Sequence, residues 1–307
     1  MMEQKKKVLF VATVVKTHIN TFYLPFLKMF KEYGWEVHVA AKNDFVDEPC
    51  VIPNCDRHFD IDFARSPFSK SNIKAYKQLK QIIETNHYDI IHCHTPVAGV
   101  LTRLAARTAK GTTVIYTAHG FHFYQGAPLI NWLVYYPVER VCGKFTDKLI
   151  TINQEDYHRA NSWRLRNNGK IYYVPGIGVD LEEIQNISIN KVQKKKEIGI
   201  SNDVKVLLSV GELNKNKNHE IIIRVLSKLT NKNFIYLICG NGELKEYLKN
   251  LAKELGVSDK VKFLGYRKDV LEIYKIADLF LFPSKREGLP CSLIEAMACG
   301  LPCVASD

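Results

Sequence analysis

Two glutamates, Glu287 and Glu295, stand eight residues apart in the stretch KREGLPCSLIEAMACG. Between them, Gly288 lets the backbone approach a ligand closely, and Pro290 suits the first turn of a helix. The free N–H groups and the dipole of such a helix could bind a pyrophosphate. Glu287 could then accept hydrogen bonds from a sugar, and Glu295 from both hydroxyls of a ribose. A nucleotide-sugar offers these groups in this order, although a strand–turn–helix with two solvated glutamates would have the same spacing.

Short apolar runs alternate with amphipathic segments along the chain and must position these glutamates. Six β-rich runs come first, from KVLFVATVV to KIYYVPG, and five follow, from DVKVLLSVG to LPCVASD. This alternation predicts parallel sheets covered by helices on both faces. We therefore expect an α/β protein with two Rossmann-like, doubly wound domains that face a central cleft, with ligands at the carboxyl ends of the strands.

The polar, basic stretch between the two series of strands predicts the domain boundary. Residues 1–178 are expected to form the first domain, 179–200 a linker, and 201–307 the second domain. Because no helix follows the last strand, we expect the second domain to be truncated at its C-terminus.

Composition narrows the classes of function. The net charge is +11, and residues 1–175 carry 23 Lys and Arg against 15 Asp and Glu, so the first half is the better candidate for an anionic partner. The eight cysteines form no CxxC pair, which suits free thiols in the reducing cytoplasm. The start of the chain is typical of a first strand rather than a signal peptide, and no apolar run reaches about 18 residues, the length of a membrane span.

The sequence lacks the motifs of several other kinds of chemistry. The sequence contains no G-x-G-x-x-G, no P-loop and no nucleophile elbow, and it has no groove-reading or stacking motif for nucleic acid. Asp60 and Asp62 form a D-x-D, which we interpret as coincidence because its context does not match a metal–nucleotide site. His119 and His122 flank a glycine and make a poor metal pair.

A predicted helix over residues 65–84 has a basic face. The lysines recur at spacings of four, three and three residues, with aromatic and apolar neighbours, and they are Lys70, Lys74, Lys77 and Lys80. This face suits an anionic membrane surface, although a solvated lysine face on a core-packing helix would have the same pattern.

The ordered set of motifs resembles one enzyme family over essentially the whole chain. EGLPCSLIE is similar to the E-x7-E signature of the GT4 family, which comprises retaining glycosyltransferases with the GT-B fold. SVGELNKNKNHEIIIRVL, ICGNGEL and VKFLGY resemble further segments of that family in register. In the first half, IIHCHTP, YTAHGFHF and NWLVYYPVERVCGKFTDKLITIN look like its capsule and exopolysaccharide branch.

The resemblance implies the residues that bind the donor. Lys217 matches a lysine that contacts the donor phosphate, and Glu212 stands where the family usually has an arginine, which removes one phosphate contact. The turn at Gly240 would lie beside the nucleotide. The donor set implied in this way is Lys217, Asn241, Gly242, Phe263, Leu264, Gly288, Leu289 and Glu295, with Glu287 on the donor sugar.

The same resemblance implies the acceptor side. His119 matches a histidine near the donor sugar and acceptor, where it could hydrogen-bond a hydroxyl or stabilise developing charge, so His119 and Glu287 are the candidate catalytic residues. His94 and Phe121 are further acceptor-side candidates. We see no covalent nucleophile to assign.

The resemblance therefore implies a retaining glycosyltransferase that moves a sugar from a nucleotide-diphosphate donor, expected to be a UDP-sugar, to a lipid-linked glycan of capsule or exopolysaccharide. It implies no cofactor and no divalent metal, and a cytoplasmic location at the inner face of the plasma membrane. Two alternatives stay open: a GT-B UDP-N-acetylglucosamine epimerase, and a nucleotide-sugar-binding scaffold without turnover.

Overall fold

The computed structural model describes residues 5–46, 48–64, 66–176, 178–230, 233–287 and 289–306. Contacts divide the chain into two compact units, Met1–Ile177 and Gly178–Asp307. Each unit is an open, parallel α/β sheet with helices on both faces, which is the fold class that the sequence predicts.

The described part of the first unit contains a seven-stranded sheet of order β3-β2-β1-β4-β5-β6-β7. Its strands are β1 (Lys7–Val14), β2 (Glu36–Lys42), β3 (Arg57–Asp60), β4 (Ile90–His94), β5 (Thr113–Ala118), β6 (Lys148–Thr151) and β7 (Lys170–Tyr173). Its helices are a π-helix (Val15–Ile19), α1 (Asn20–Phe22), α2 (Leu24–Glu32), α3 (Ser71–Asn86), α4 (Pro96–Ala105), α5 (Leu129–Gly143), α6 (Gln154–Ala160) and two 3-10 turns (Ala106–Thr108 and Arg166–Asn168).

The alternation of side chains along β1 builds two cores. Leu9 and Val11 point to the face covered by α3, α4 and α5, whereas Val8 and Phe10 point to the face covered by α2. All four side chains are fully buried, and each such burial contributes about 1.5–3 kcal/mol. A strand buried on both faces explains why this run is continuously apolar.

The second unit repeats this plan with a five-stranded sheet, within the described residues, of order β10-β9-β8-β11-β12. Its strands are β8 (Lys205–Val210), β9 (Phe234–Cys239), β10 (Val261–Gly265), β11 (Leu279–Phe282) and β12 (Cys303–Ala305). Its helices are α7 (Leu181–Asn186), α8 (Lys191–Glu197), α9 (His219–Leu226), α10 (Lys245–Glu254), α11 (Val270–Ile276), α12 (Cys291–Ala298) and a 3-10 turn (Ser258–Lys260).

Residues 179–200, for which the sequence favours a linker, form two short helices that pack on the second unit. Ile184 of α7 is buried, and Lys194 of α8 pairs with Asp269 at 2.6 Å and Glu272 at 2.7 Å. The helices begin at the side-chain caps Asp180 and Asn190. A structured segment replaces the expected linker because capping and ion pairs order a sequence that has few apolar residues.

Both sheets have a topological switch point, where neighbouring strands send their connections to opposite faces. It lies between β1 and β4 in the first unit and between β8 and β11 in the second. Open α/β sheets bind ligands at the carboxyl ends of the strands beside such a point. The candidate site of each unit is therefore expected after these strands.

Candidate functional site

In the second unit, the loops that follow β8 and β11 meet at the switch point. Lys217 Nζ lies 2.8 Å from Glu287 Oε1, and both side chains are about one-fifth exposed. Asn216 Nδ2 donates to the Arg286 carbonyl at 2.8 Å, and the Asn216 carbonyl accepts from the Lys285 backbone N–H at 2.8 Å. The structure thus brings together Lys217 and Glu287, which the sequence places 70 residues apart.

The Lys217 side chain is held on three sides. Its backbone N–H donates to Asn214 Oδ1 at 2.9 Å, and its Nζ lies 5.1 Å from the centre of the Phe282 ring. Its methylene stem covers Gly211, where an added Cβ would lie 3.2 Å from the lysine carbons. The ammonium group is therefore fixed at the carboxyl end of β8, where a cation can bind a phosphate.

A glycine turn after β9 packs directly on the loop that carries Lys217. Gly240 has φ +147°, and a Cβ there would lie 1.9 Å from the Gly211 carbonyl oxygen; a Cβ on Gly242 would lie 2.5 Å from the Leu213 carbonyl oxygen. Leu213 also donates its N–H to the Asn241 carbonyl at 3.0 Å. Asn241 and Gly242 therefore adjoin the Lys217 loop, and only glycine fits beside it.

Glu295 lies in the second turn of α12, which follows Pro290. Tyr274 Oη donates to Glu295 Oε2 at 3.0 Å and lies 2.9 Å from the Ser292 carbonyl. Burial raises the pKa of Glu295, and the Tyr274 hydrogen bond opposes that rise. The N-cap residue of α12, Pro290, makes no side-chain hydrogen bond to the first backbone N–H groups of the helix.

The other predicted donor residues differ in position. Gly288 lies outside the described residues, and Leu289 is half-buried. Phe263 and Leu264 are half-buried on opposite faces of β10 and pack against the two cores of the second unit. Glu212, at the position of the family arginine, accepts from Asn214 Nδ2 at 3.0 Å.

In the first unit, a cluster of histidines lies at the carboxyl ends of β4 and β5. His119 Nε2 forms a short hydrogen bond with Tyr23 Oη. The ring centres of His18 and His94 lie 5.8 and 5.7 Å from that of His119, and the His94 ring lies 3.8 Å from that of Tyr23. His92, two residues before His94 on β4, forms a hydrogen bond with Thr117 Oγ1 at 2.8 Å.

Burial keeps the imidazoles of His92, His94 and His119 neutral. It lowers the pKa of His119 to about 4, with a further contribution from His18, and that of His92 to about 3. The pKa of His94 lies well below its ordinary value for the same reason. A neutral imidazole can donate one hydrogen bond and accept another, so His92, His94 and His119 are hydrogen-bonding groups near pH 7 rather than cations.

Two acceptor-side candidates are buried. Phe121 is 2% exposed, stacks on Phe123 at 4.8 Å and contacts Trp163, while its backbone N–H donates to Asp156 at 2.8 Å. Its side chain packs in the core of the first unit, and a contact between Phe121 and an acceptor stays a prediction. His94 is 1% exposed, and neither of its ring nitrogens has a hydrogen-bond partner among the described residues.

Sequence reasoning missed Tyr23, His18, Asn216 and Tyr274 as members of these sites. Tyr23 occurs in an amphipathic run and Tyr274 in a buried helix, so each is typical of a core residue. Their hydroxyl groups become informative only when the fold brings them to His119 and Glu295. The described residues contain no group of three or more His, Cys, Asp or Glu that could hold a metal ion.

Comparisons with known proteins agree with this architecture. Residues 7–153 match the model of the glycosyl transferase 4-like family, and residues 190–307 match that of glycosyl transferases group 1. The chain is 44% identical over 307 residues to EpsD of Bacillus subtilis, whose name assigns it as a glycosyltransferase; the match covers 98% of this chain and 79% of the relative. It is 35% identical over 244 residues to the UDP-Gal:alpha-D-GlcNAc-diphosphoundecaprenol alpha-1,3-galactosyltransferase of Escherichia coli, covering 78% of this chain and 62% of the relative.

Solved structures show the same fold. HepE of Anabaena in complex with UDP and glucose matches with a TM-score of 0.75 at 22% identity, covering 98% of this chain and 80% of that one. WaaG, a glycosyltransferase involved in lipopolysaccharide biosynthesis, matches with a TM-score of 0.75 at 19% identity, covering 97% and 80%. Two doubly wound parallel units of this kind define the GT-B fold. The chain belongs to the GT4-type glycosyltransferases, which confirms the family and the enzyme class that its motifs resemble.

Proposed function

We propose that the protein transfers a sugar from a UDP-sugar to a lipid-linked glycan, with retention of configuration, in the synthesis of a capsular polysaccharide or exopolysaccharide. Two comparisons support these substrates. The name of the Escherichia coli relative contains UDP-Gal and a diphosphoundecaprenol acceptor, and the HepE structure is a complex with UDP and glucose. The observation that carries the proposal is the Lys217–Glu287 pair at the switch point of the second unit.

In this proposal the second unit binds the donor. Lys217 is the cation for the diphosphate, and charge that develops on the leaving diphosphate is stabilised there. Glu287, which Lys217 now holds, becomes the acceptor for hydroxyls of the donor sugar. Glu295, held by Tyr274 at 3.0 Å, accepts from the ribose. The N–H groups that begin α12 lie between these carboxylates in the sequence, which suits a diphosphate between sugar and ribose.

The first unit supplies His119 on the acceptor side. His119 follows β5 and is half-buried, with its pKa lowered by burial to about 4, so it would contact a sugar hydroxyl as a neutral group. We expect no divalent metal requirement, so transfer should persist in EDTA.

The donor site can be tested with matched lysine variants. UDP-sugars should raise the melting temperature of the wild type, because a ligand that binds only the folded state stabilises it. Lys217→Met should abolish this shift and lower kcat/KM by roughly 100-fold or more, the scale of losing one stabilising group for developing charge. Lys205→Met removes the Lys205–Asp278 pair (3.0 Å) at the opposite end of β8 and should leave both unchanged.

Glu287→Gln separates binding from transfer. It keeps the shape of the side chain but loses its charge, so we expect UDP itself to bind about as well as to the wild type while sugar transfer to a lipid-linked acceptor is lost. The proposal would be overturned if UDP-sugars raised the melting temperature of both Lys217→Met and Glu287→Gln as much as that of the wild type, and if both variants transferred sugar at the wild-type rate. The donor would then bind elsewhere.

We also propose that the first unit meets the anionic membrane surface that carries the acceptor. Lys70 at the N-cap of α3 and Lys74 and Lys77 within the helix are exposed, and Phe68 and Ile73 beside them are 80% and 60% exposed. Lys80 differs, because it is paired with Glu84 at 3.6 Å. No helix among the described residues has the length and apolar character of a membrane span.

Helix α5 covers the same face of the sheet as α3 and α4 and has an exposed apolar start of its own. Leu129, Ile130 and Leu133 are exposed at its start, and its one acidic residue, Glu139, is buried. The outer face of α5 is therefore apolar and basic, which suits the headgroup region of anionic lipid.

Vesicle sedimentation tests the surface. The protein should bind phosphatidylglycerol vesicles more than phosphatidylcholine vesicles, and changing Lys70, Lys74 and Lys77 to Glu should abolish that preference. The same change at Lys245, Lys249 and Lys253 on α10 of the second unit is the matched control. Equal binding to both lipids, or equal losses in both triple variants, would contradict the membrane proposal.

A further inference from the structure

A hydrogen bond within the first unit joins Tyr23 to His119, the candidate catalytic histidine. Tyr23 Oη bonds His119 Nε2, although the two residues are 96 positions apart in the sequence. Tyr23 is 1% exposed and its ring lies against that of His94, with centres 3.8 Å apart. Its hydroxyl group therefore has a fixed place in the core beside α2.

The direction of this hydrogen bond follows from the proton of the phenol. A buried O–H needs an acceptor, and among the described residues His119 Nε2 is the hydrogen-bond partner of Tyr23 Oη. If His119 donated from Nε2 instead, the Tyr23 proton would have no acceptor in the described part of the chain. Burial raises the pKa of Tyr23, so the phenol keeps its proton. Tyr23 thus donates and His119 Nε2 accepts.

The other ring nitrogen must then carry the proton of the neutral imidazole. The ring groups beside His119 are Tyr23, His18 and His94. His119 is partly exposed, and its Nδ1 has no hydrogen-bond partner among the described residues and is not one of the buried unpartnered atoms. Nδ1–H is therefore a hydrogen-bond donor that the solvent can reach.

We propose that Tyr23 is a positioning residue that holds His119 as its Nδ1–H tautomer, so that Nδ1–H donates a hydrogen bond to an oxygen of the bound sugar substrate. The role toward substrate rests on the proposed function, whereas the tautomer is a property of the first unit alone. Because Nε2 is occupied by Tyr23, His119 acts as a donor to the substrate and not as a base through that nitrogen.

The tautomer can be measured directly. In protein labelled with 15N-histidine, long-range 1H–15N correlation at pH 7 should show a protonated Nδ1 and an unprotonated Nε2 for His119, assigned by the loss of that signal in His119→Gln. Tyr23→Phe should move His119 toward the Nε2–H tautomer, because the acceptor role of Nε2 is no longer enforced.

The chain offers a matched control. Tyr88 Oη bonds His38 Nδ1 at 2.8 Å, and Tyr88 is also buried. Tyr88→Phe removes a second buried tyrosine–histidine hydrogen bond in the same unit and should leave the His119 signals unchanged. Any general loss of stability from removing a buried hydroxyl should be similar in the two variants.

Kinetics give the second measurement. Tyr23→Phe should lower kcat roughly 10- to 100-fold, the scale of losing one positioned hydrogen bond, with the KM for UDP-sugar within about threefold of wild type. Tyr88→Phe should retain the wild-type kcat. An unchanged His119 tautomer in Tyr23→Phe, or equal kcat in the two tyrosine variants, would overturn the proposal. If the wild type transfers no sugar at all, the proposed function fails while the NMR result still decides the role of Tyr23.

Discussion

A buried ion pair between α4 and α5 gives the sharpest stability prediction. Arg103 Nη1 donates to Glu139 Oε2 at 2.8 Å, Arg103 Nε donates to the Gly99 carbonyl at 2.9 Å, and the guanidinium carbon lies 3.9 Å from the Tyr116 ring centre. The side chains are 1% and 8% exposed. Arg103→Met therefore leaves a buried carboxylate without its cation, which costs about 3–5 kcal/mol in comparable pairs.

Urea unfolding followed by tryptophan fluorescence measures this loss of stability in the first unit of the chain, which contains the ion pair. All three tryptophans, Trp35, Trp132 and Trp163, belong to the first unit. With a denaturant dependence of about 2 kcal/mol per M, the midpoint should fall by roughly 1.5–2.5 M. Lys28→Met breaks an exposed pair with Glu32 and should shift it by less than about 0.5 M.

The double variant tests whether the uncompensated charge of Glu139 sets this loss of stability. Arg103→Met with Glu139→Met replaces the pair by apolar groups and should regain most of the lost stability, because no unpaired charge remains. A midpoint for Arg103→Met within about 0.5 M of wild type, or a double variant less stable than the single one, would refute the view that an uncompensated charge sets the cost.

Three further predictions concern the sites. Tyr274→Phe removes the donor to Glu295 and should raise the KM for UDP-sugar about tenfold or more, since a hydrogen bond to a charged group contributes about 1.5–3 kcal/mol; an unchanged KM would contradict the ribose role. Gly240→Ala brings a Cβ to 1.9 Å from the Gly211 carbonyl oxygen at φ +147°, so thermal unfolding should show a destabilised second unit, and a wild-type melting curve would disprove the packing. Because the folded pKa of His92 is about 3 and the unfolded value about 6.5, the unfolded chain binds the extra proton as the pH drops from 6.5 toward 3. The free energy of unfolding should then fall by up to about 1.4 kcal/mol per pH unit for this group, and the urea midpoint should fall with it. His92→Gln should lose less between pH 7.5 and 5, and equal losses would contradict this assignment.

Local patterns in the sequence predict most of the fold. The apolar runs of β1 and β8 are buried on both faces, so their strand character is independent of distant residues. The strand–turn–helix that positions Glu295 follows from a glycine, a proline and an apolar run. Strand β3 is harder to predict, because RHFD has four residues and its ends are exposed. Helices α7 and α8 carry a signal in their caps, since Asp180 and Asn190 each precede Glu or Gln by three residues.

The sites are less predictable because long-range contacts define them. The sequence and its resemblance indicate Lys217 and Glu287 individually, but no local pattern shows that their charged atoms lie 2.8 Å apart. Tyr23 and His119 are joined only when the π-helix that follows β1 comes beside the end of β5. Phe121 shows the opposite case, because an aromatic residue next to a candidate histidine is packed into the core.

The Lys217–Glu287 pair has a consequence for the energetics of any phosphate that displaces the carboxylate. A free lysine side chain loses about 1.5–2 kcal/mol of conformational entropy when it is immobilised. Here the stem already lies against Gly211 and the ammonium group lies beside the Phe282 ring, so most of this entropy is lost on folding, before a ligand binds. Exchange of one anionic partner for another then leaves the lysine where it was. Glu287 Oε1 also accepts from Asn216 Nδ2 at 3.3 Å, so the carboxylate has a second hydrogen-bond donor at the site besides Lys217.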